Sequence, residues 1–286
     1  MSGPTVALLS DGSRLHLQHG PIDLVIGADG NRAAAFAAAT ARFQTVLAEL
    51  VGELPLLRQK LGEVPMGAVA RRMHRACAPH GRVTFVTPMA AVAGAVADEV
   101  LAAMVKLANP QRAYVNNGGD IAVHLTAGQV FTVAVAGLNN QPLGRVTLRH
   151  GDMARGLATS GHGGRSLSLG IADAVTVLGR NGAEADVAAT LIANAVDLPH
   201  HPAITRAPAR MVQPDSDLGD RLVVTGVGAL THDDCRHALD LGVVAAEAML
   251  VQGMISAAAL FLGGQNRVIG GRGAFATLPE WTMDHA

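Results

Sequence analysis

Three short segments carry the residue types that handle phosphates and hard cations. Glu184 to Ala195 reads as a helix, and on it Asp186 and Thr190 stand four residues apart, so a carboxylate and a hydroxyl share one face. Oxygen donors of that kind suit Mg²⁺, which takes one or two protein carboxylates, keeps water and completes its shell with substrate phosphates. The turn Asn117-Gly118-Gly119-Asp120 sets two glycines between strands. There backbone N–H groups can approach a phosphate closely while the flanking side chains fix a ligand. The same four residues also suffice for a plain hairpin turn. Ala158-Thr159-Ser160-Gly161-His162-Gly163-Gly164-Arg165 reads as a hydroxyl- and glycine-rich loop whose Arg165 could hold an anion by a forked contact. No Gly-Lys-Ser/Thr closes it, so it is not a Walker loop, and Ser160 lacks the Gly-x-Ser-x-Gly setting of a hydrolytic nucleophile.

Other clusters have plainer readings. Thr231-His232-Asp233-Asp234-Cys235-Arg236-His237 offers one thiol and two imidazoles, but Thr231 with Asp234 reads better as a capping box and an acidic first turn than as a metal site. His200-His201 are adjacent before Pro202 and read as solvated or packed histidines. Lys60 and Lys106 are the only lysines among 22 basic residues, and neither sits in a motif that would make it a Schiff-base residue. Cys77 and Cys235 stand far apart with no Cys-x-x-Cys, which predicts two packed thiols in a reducing compartment.

The elements that must position these groups are rich in small apolar residues. Of 286 residues 49% are apolar and 16% charged, with a net charge of -1, so no overall field draws nucleic acid or anionic membrane. Aromatics are only 3%, too few for base-stacking shelves, and the core must be Ala, Val and Leu. No signal segment is read near Met1 to Gly30, which makes the cytoplasm the expected compartment. The most apolar run, Gly242 to Gly264, is broken by Glu247, Gln252 and glycines, and reads as a buried helix, Asp234 to Val251, followed by a strand, Ile255 to Leu262. That strand turns at Gly263-Gly264-Gln265-Asn266. Strands are predicted at Arg14 to Gln18, Leu24 to Ile26, Arg82 to Thr87, up to Val115, Ile121 to Leu125, Val130 to Ala136, Asp173 to Leu178 and Arg221 to Val227. Helices are predicted from a cap at Asn31 toward Leu50, and from Ala90 to Leu107 before Asn109-Pro110. Hairpins mix with helices, no Gly-x-Gly-x-x-Gly follows a strand, and no repeat of fixed period is seen. The expected class is α+β, layered mixed sheets with packed helices, in one domain over 1–286 with a two-lobed form as the variant. Pro199 to Asp220 reads as a long connection within it.

Asn117-Gly118-Gly119-Asp120-Ile121, Ala158-Thr159-Ser160-Gly161, Asp173-Ala174-Val175-Thr176-Val177 and Ala185-Asp186-Val187-Ala188-Ala189-Thr190, taken in this order, resemble the FAD:protein FMN transferase, or ApbE-like, superfamily. The strings Gly163-Gly164-Arg165-Ser166, Gly170-Ile171-Ala172-Asp173 and Ser216-Asp217-Leu218-Gly219-Asp220 look like one particular branch of it. The resemblance implies FAD in a glycine-rich cleft, with Mg²⁺ bridging its pyrophosphate and FMN passing to a protein threonine or to water. Asp186 and Thr190 would be metal ligands, with a backbone carbonyl near Ala90 as a third, and Val92 to Asp98 looks like the family's Ala-Lys-Gly-Tyr-x-x-Asp helix, with Asp98 as its closing aspartate. Here Ala93 replaces the lysine and Ala95 the tyrosine, and only Ser166 to Ala172 fills the interval of the family's His-x-x-Asp-Pro-x-Thr-Gly segment.

The expected function is therefore an ApbE-like protein that binds a phosphate-bearing, flavin-like nucleotide with Mg²⁺ and cleaves or transfers at its pyrophosphate. Asp186 and Arg165 would be the catalytic groups, and Asn117, Gly118, Gly119, Asp120, Thr159, Ser160, Gly161 and Asp98 the ligand contacts. Two alternatives stay open: a non-catalytic binding or assembly protein with a repurposed cleft, and an enzyme that holds a small acid with Arg165 and His162. The alanine-rich helices make a homodimer the expected assembly, with neither nucleic acid nor membrane as partner.

Overall fold

The computed structural model describes residues 3–137, 141–164, 166–271 and 273–277. The chain opens with β1 (Thr5–Leu8), β2 (Arg14–His19) and β3 (Ile22–Asp29), then runs through α1 (Arg32–Leu57) and α2 (Ala68–Cys77). A 3-10 turn, Pro88–Ala91, leads into α3 (Val92–Ala108). Strands β4 (Arg112–Asn117), β5 (Asp120–Leu125), β6 (Val130–Ala136), β7 (Pro142–Arg149), β8 (Gly156–Ser160) and β9 (Ala174–Gly179) precede α4 (Gly182–Ala195). The remainder is β10 (Ile204–Pro208), α5 (Ala209–Val212), β11 (Leu222–Val227), α6 (His232–Val251), β12 (Ala257–Leu262), β13 (Gln265–Gly270) and β14 (Phe275–Thr277). Helices and antiparallel pairs mix without βαβ alternation, so the fold is α+β as the sequence predicts.

The described residues group into two compact units. One draws on Met1–Val130, Arg149–Ala158 and Leu178–Ala188, the other on Phe131–Leu148, Thr159–Val177 and Ala189–Ala286. In the first, β1 to β5 form an antiparallel meander in chain order. Strand β4 alternates strictly, burying Ala113, Val115 and Asn117 while Arg112, Tyr114 and Asn116 turn outward, the period of two that a sheet with one covered face requires. The cover is α3, which lies on β4 and β5 and carries α1 on its own flank. Gly94, Ala95, Val96 and Ala97 are four consecutive buried positions of α3, and only small residues let its first turn be enclosed on every side. Asn109 at a φ of 44° ends the helix in the left-handed region, and Pro110 prevents its continuation.

In the second unit α6 packs on the hairpin β12–β13, whose turn is the glycine pair Gly263-Gly264 at φ 56° and 78°. All six residues of β12 are buried, as a continuous apolar run demands. Strands β10 and β11 form a separate antiparallel pair, and β6, β7 and β14 a three-stranded sheet. Thr231 caps α6 in the expected box: its hydroxyl accepts the Asp234 amide at 3.1 Å, and Asp234 accepts the Thr231 amide at 2.9 Å. Thr231→Ala should cost about 1 kcal/mol in a urea melt, the usual worth of such a cap.

Several expectations need correction. Arg82 to Thr87 is no strand: α2, which periodicity did not reveal, ends just before it, and residues 81–83 are a turn in which the Val83 and Thr84 amides bond the His80 carbonyl. Val83 is 86% exposed there, because β-branching favours a strand only where a sheet edge is available. Residues 158–160 of the presumed glycine loop belong to β8, and the loop begins at Gly161. Asn31 holds the cap position of α1 without a side-chain cap bond, and that helix continues through Pro55 to Leu57. The span Pro199 to Asp220 contains β10 and α5. Gly242 to Gly264 resolves into the end of α6, a turn and β12, as read from its glycines. By length and composition the stretch Pro88–Ala108 could cross a membrane, and half of it is buried inside the protein. Both cysteines are buried, and they form no disulfide with each other.

Candidate functional site

The chemistry-bearing residues of the first unit converge where α3 meets α4. The same five-residue pattern lies in the opening turns of both helices, Gly94-Ala95-Val96-Ala97-Asp98 in α3 and Gly182-Ala183-Glu184-Ala185-Asp186 in α4. The two glycines are the point of contact: a Cβ added to Gly94 would stand 2.2 Å from the Gly182 carbonyl oxygen. With the backbones so close, each aspartate reaches the other helix. Asp98 accepts the Gly182 amide on one oxygen at 2.8 Å and the Ala183 amide on the other at 2.9 Å. Asp186 returns the contact, accepting the Gly94 amide at 3.0 Å, with the Ala93 amide also turned to it. Each carboxylate therefore satisfies orphan donors in the first turn of the opposite helix and sits at the positive end of its dipole.

Helix α4 is capped by its own flank as well. The Asn181 side-chain oxygen accepts the Glu184 amide at 2.8 Å, and its amide donates to the Glu184 carboxylate at 2.9 Å. Gly156 makes room for this cap, because a Cβ on it would lie 2.0 Å from the Asn181 carbonyl oxygen. Sequence reasoning missed both residues; a lone glycine at the start of a strand was the available signal.

Charge decides what the crossing can do. Asp98 and Asp186 keep some surface as residues, but their carboxyl groups are enclosed. Burial pushes Asp98 up to about 6, against the pull of the Ala183 and Gly182 amides and of Arg72. Burial pushes Asp186 up to about 7, outweighing the Gly94 and Ala93 amides, and the like charge of Asp98 adds to it. Asp98 has both oxygens on α4, whereas the hydrogen bond of Asp186 to Gly94 falls on Oδ2. Thr190 follows Asp186 by one turn of α4, half-buried, and its hydroxyl makes no side-chain bond among the described residues. Ala90 lies in the 3-10 turn just ahead of the amides that Asp186 engages.

The hairpin β4–β5 is tied to the same crossing. Asn117 pairs with Asp120 across a two-residue turn in which Gly118 and Gly119 take φ of 65° and 112°, a conformation that demands glycine. The Asn117 amide then donates to the Ala93 carbonyl at 3.1 Å, so the turn is anchored to the first turn of α3. Ala93 is half-buried and Ala95 fully buried.

Thr159, Ser160 and Gly161 lie in the second unit. The Thr159 hydroxyl meets that of Thr176 at 2.9 Å, which satisfies the buried Thr176, while Ser160 is half-buried. Gly161 passes so close to β9 that a Cβ would stand 2.4 Å from the Asp173 carbonyl oxygen. The His162 ring nitrogen Nδ1 lies 3.0 Å from the Ala172 carbonyl. Asp173 accepts the Gly263 amide at 2.7 Å, and burial raises its pKa. Arg165 lies outside the described residues. Among the described residues no three His, Cys, Asp or Glu side chains gather as a metal cage, and His201 stands 3.5 Å from Asp234.

The family model described as "AbpE bacteria" matches residues 6–268. A UPF0280 protein of Methanopyrus kandleri is 41% identical over 127 residues, 44% of this chain and 48% of that protein. One from Methanosarcina barkeri is 38% identical over 139 residues, covering 46% and 49%, and one from Methanothrix thermoacetophila 35% over 159 residues, covering 54% and 65%. The chain thus spans about half the length of the first two relatives and 65% of the third. Because the family match runs through the meander, the α3–α4 crossing and α6, the chain belongs to the ApbE-like family.

Proposed function

We propose that this protein binds a flavin nucleotide, or a closely related nucleotide, by its pyrophosphate through Mg²⁺ held at Asp186, Thr190 and the Ala90 carbonyl, and cleaves or transfers at that pyrophosphate. The observation that carries the reading is Asp186: an enclosed carboxyl to which no cation is opposed among the described residues, the charged group that bears on it being Asp98. Such a group is costly unless a counter-charge arrives. One carboxylate, one hydroxyl and a carbonyl are a sparse set of hard oxygen donors, which fits a magnesium ion that takes its other ligands from water and phosphate. When bound, Mg²⁺ would supply charge neutralisation at the pyrophosphate oxygens. The chain's own residues do the rest. Asp98 holds the start of α4, and so the aim of Asp186, while Asn117 holds the turn Gly118-Gly119 against α3. The glycine turn gives phosphate access to backbone N–H groups.

A second reading rests on Ala93. The first turn of α3 carries no side-chain cation beside the proposed pyrophosphate position, and Ala95 offers no ring, so flavin affinity would be reduced and the cleft could serve binding alone. Incubation with FAD and Mg²⁺ followed by mass spectrometry separates the two. Release of FMN and AMP, abolished in Asp186→Asn, supports the enzyme; Mg²⁺-dependent binding with FAD recovered intact supports the binding protein. An Asp186→Asn variant that releases product like the parent would defeat both.

A further inference from the structure

We infer a second ligand site on the outer side of α3, distinct from the face that meets Asp186, which takes a small phosphate monoester with an apolar body. A groove of about 430 Å³ runs there, floored by Leu101 and Val105 of α3 and walled by His124 of β5, with Lys106 and Arg155 on its rim. That volume suits a small organic ligand, and apolar walls with a few convergent polar groups are the usual make-up of such sites.

Three cations line the groove; Arg72 is paired with Glu99 at 2.8 Å, and Lys106 and Arg155 supply the specificity. Arg155 directs both Nη1 hydrogens to backbone carbonyls, Asp152 at 2.7 Å and Ala154 at 2.6 Å, and one Nη2 hydrogen to the His150 carbonyl at 2.6 Å. No carboxylate meets it among the described residues, so its full charge is uncompensated. Of its five N–H groups two remain, the one on Nε and a second on Nη2, and both can donate to an oxyanion. Three carbonyls already fix the guanidinium, so little ordering is left for a ligand to cost. Lys106 is exposed and has no hydrogen bond or ion pair among the described residues. The acid on the groove wall, Asp98, does not compete for either cation, because both its oxygens are engaged by the Gly182 and Ala183 amides. Burial above all, and then the charge of Arg155, lowers the pKa of His124 on this wall. Two uncompensated cations at one rim favour a dianion over a monoanion, and the apolar floor favours an ester over the free ion.

Phenyl phosphate, benzoate and inorganic phosphate, each titrated calorimetrically into protein stripped of metal by chelator, test the assignment. Phenyl phosphate is expected to saturate one site in the millimolar range or tighter, and the other two to bind about tenfold more weakly. Lys106→Glu, at an exposed and unpartnered position that the fold does not use, should weaken phenyl phosphate about tenfold or more with the melting temperature unchanged. Asp186→Asn should leave this binding as it is. Absence of saturation, equal binding of benzoate, or indifference to Lys106→Glu would overturn the inference. Loss of phenyl phosphate binding in Asp186→Asn would also overturn it, since the ligand would then occupy the proposed nucleotide site.

Discussion

Gly94→Ala is expected to destabilise the protein by upwards of about 3 kcal/mol, the top of the range for overpacking a filled core. The methyl group would lie 2.2 Å from the Gly182 carbonyl oxygen and 2.7 Å from the Ala183 amide nitrogen, both backbone atoms with no rotamer to change. Relief requires the two helices to separate. Separation lengthens the contacts of Asp98 to Gly182 and Ala183 and of Asp186 to Gly94, so two carboxylates and three amides that satisfy one another would be left buried and unpaired. The substitution therefore costs steric strain and polar satisfaction together. Gly52 is the control: it lies exposed within α1, and an added Cβ meets nothing within 4 Å. Gly52→Ala should stabilise by about 0.5–1 kcal/mol through helix propensity alone. Urea melts of both variants provide the comparison, and a Gly94→Ala midpoint equal to the parent's would mean that the helices do not meet as described.

The second large effect is a stability that depends on pH and metal. In the folded protein Asp98 and Asp186 titrate near about 6 and about 7, above the ordinary 3.8 of an unfolded aspartate. A raised folded value means that the native state holds its protons more tightly than the unfolded chain. Their favourable contribution is thus complete below about pH 4 and is lost as pH rises toward about 7, where both carboxyls must be ionised inside the protein. In chelator, the urea midpoint should carry a downward component across that window worth a few kcal/mol. Asp186→Asn should remove the larger part of it, because an amide oxygen still accepts the Gly94 N–H and carries no charge. The metal-free variant should then be more stable than the parent above about pH 7. Mg²⁺ with a nucleotide should restore stability to the parent in the same range and give the variant nothing. A variant whose pH curve runs parallel to the parent's would show that Asp186 is not the buried acid.

How much of this was legible in the sequence depends on where the determining interaction lies. Strands β5, β6, β9 and β11 and helices α3, α4 and α6 emerge from apolar patterning within a residue or two, since burial in the core sets that pattern locally. The hairpin at Gly118-Gly119 and the Thr231–Asp234 cap are local chemistry and could be read directly. Helix α2 was hidden because it is short and Arg71, Arg72, His74 and Arg75 crowd its sequence, although Val69, Ala70, Met73, Ala76 and Cys77 bury one face. At Arg82 to Thr87 propensity pointed to a strand, but no partner edge is there to receive it. The candidate site was legible in its parts, Asp186, Thr190, Asn117 and Asp98, but not in its organisation. The twin Gly-Ala-x-Ala-Asp starts are two occurrences without a fixed period, and only the backbone approach of Gly94 to Gly182 reveals them as reciprocal caps. Likewise Arg155, which the sequence offers as one more surface arginine, acquires meaning from the three carbonyls that hold it.

The central claim is that Asp186 is a buried acid awaiting a cation and a phosphate. A calorimetric titration of metal-free protein with FAD, with and without Mg²⁺, on the parent and on Asp186→Asn, tests it most directly. The account predicts binding that requires Mg²⁺ and disappears in the variant while the variant remains folded. FAD that binds equally well without Mg²⁺, or equally well to Asp186→Asn, would contradict it.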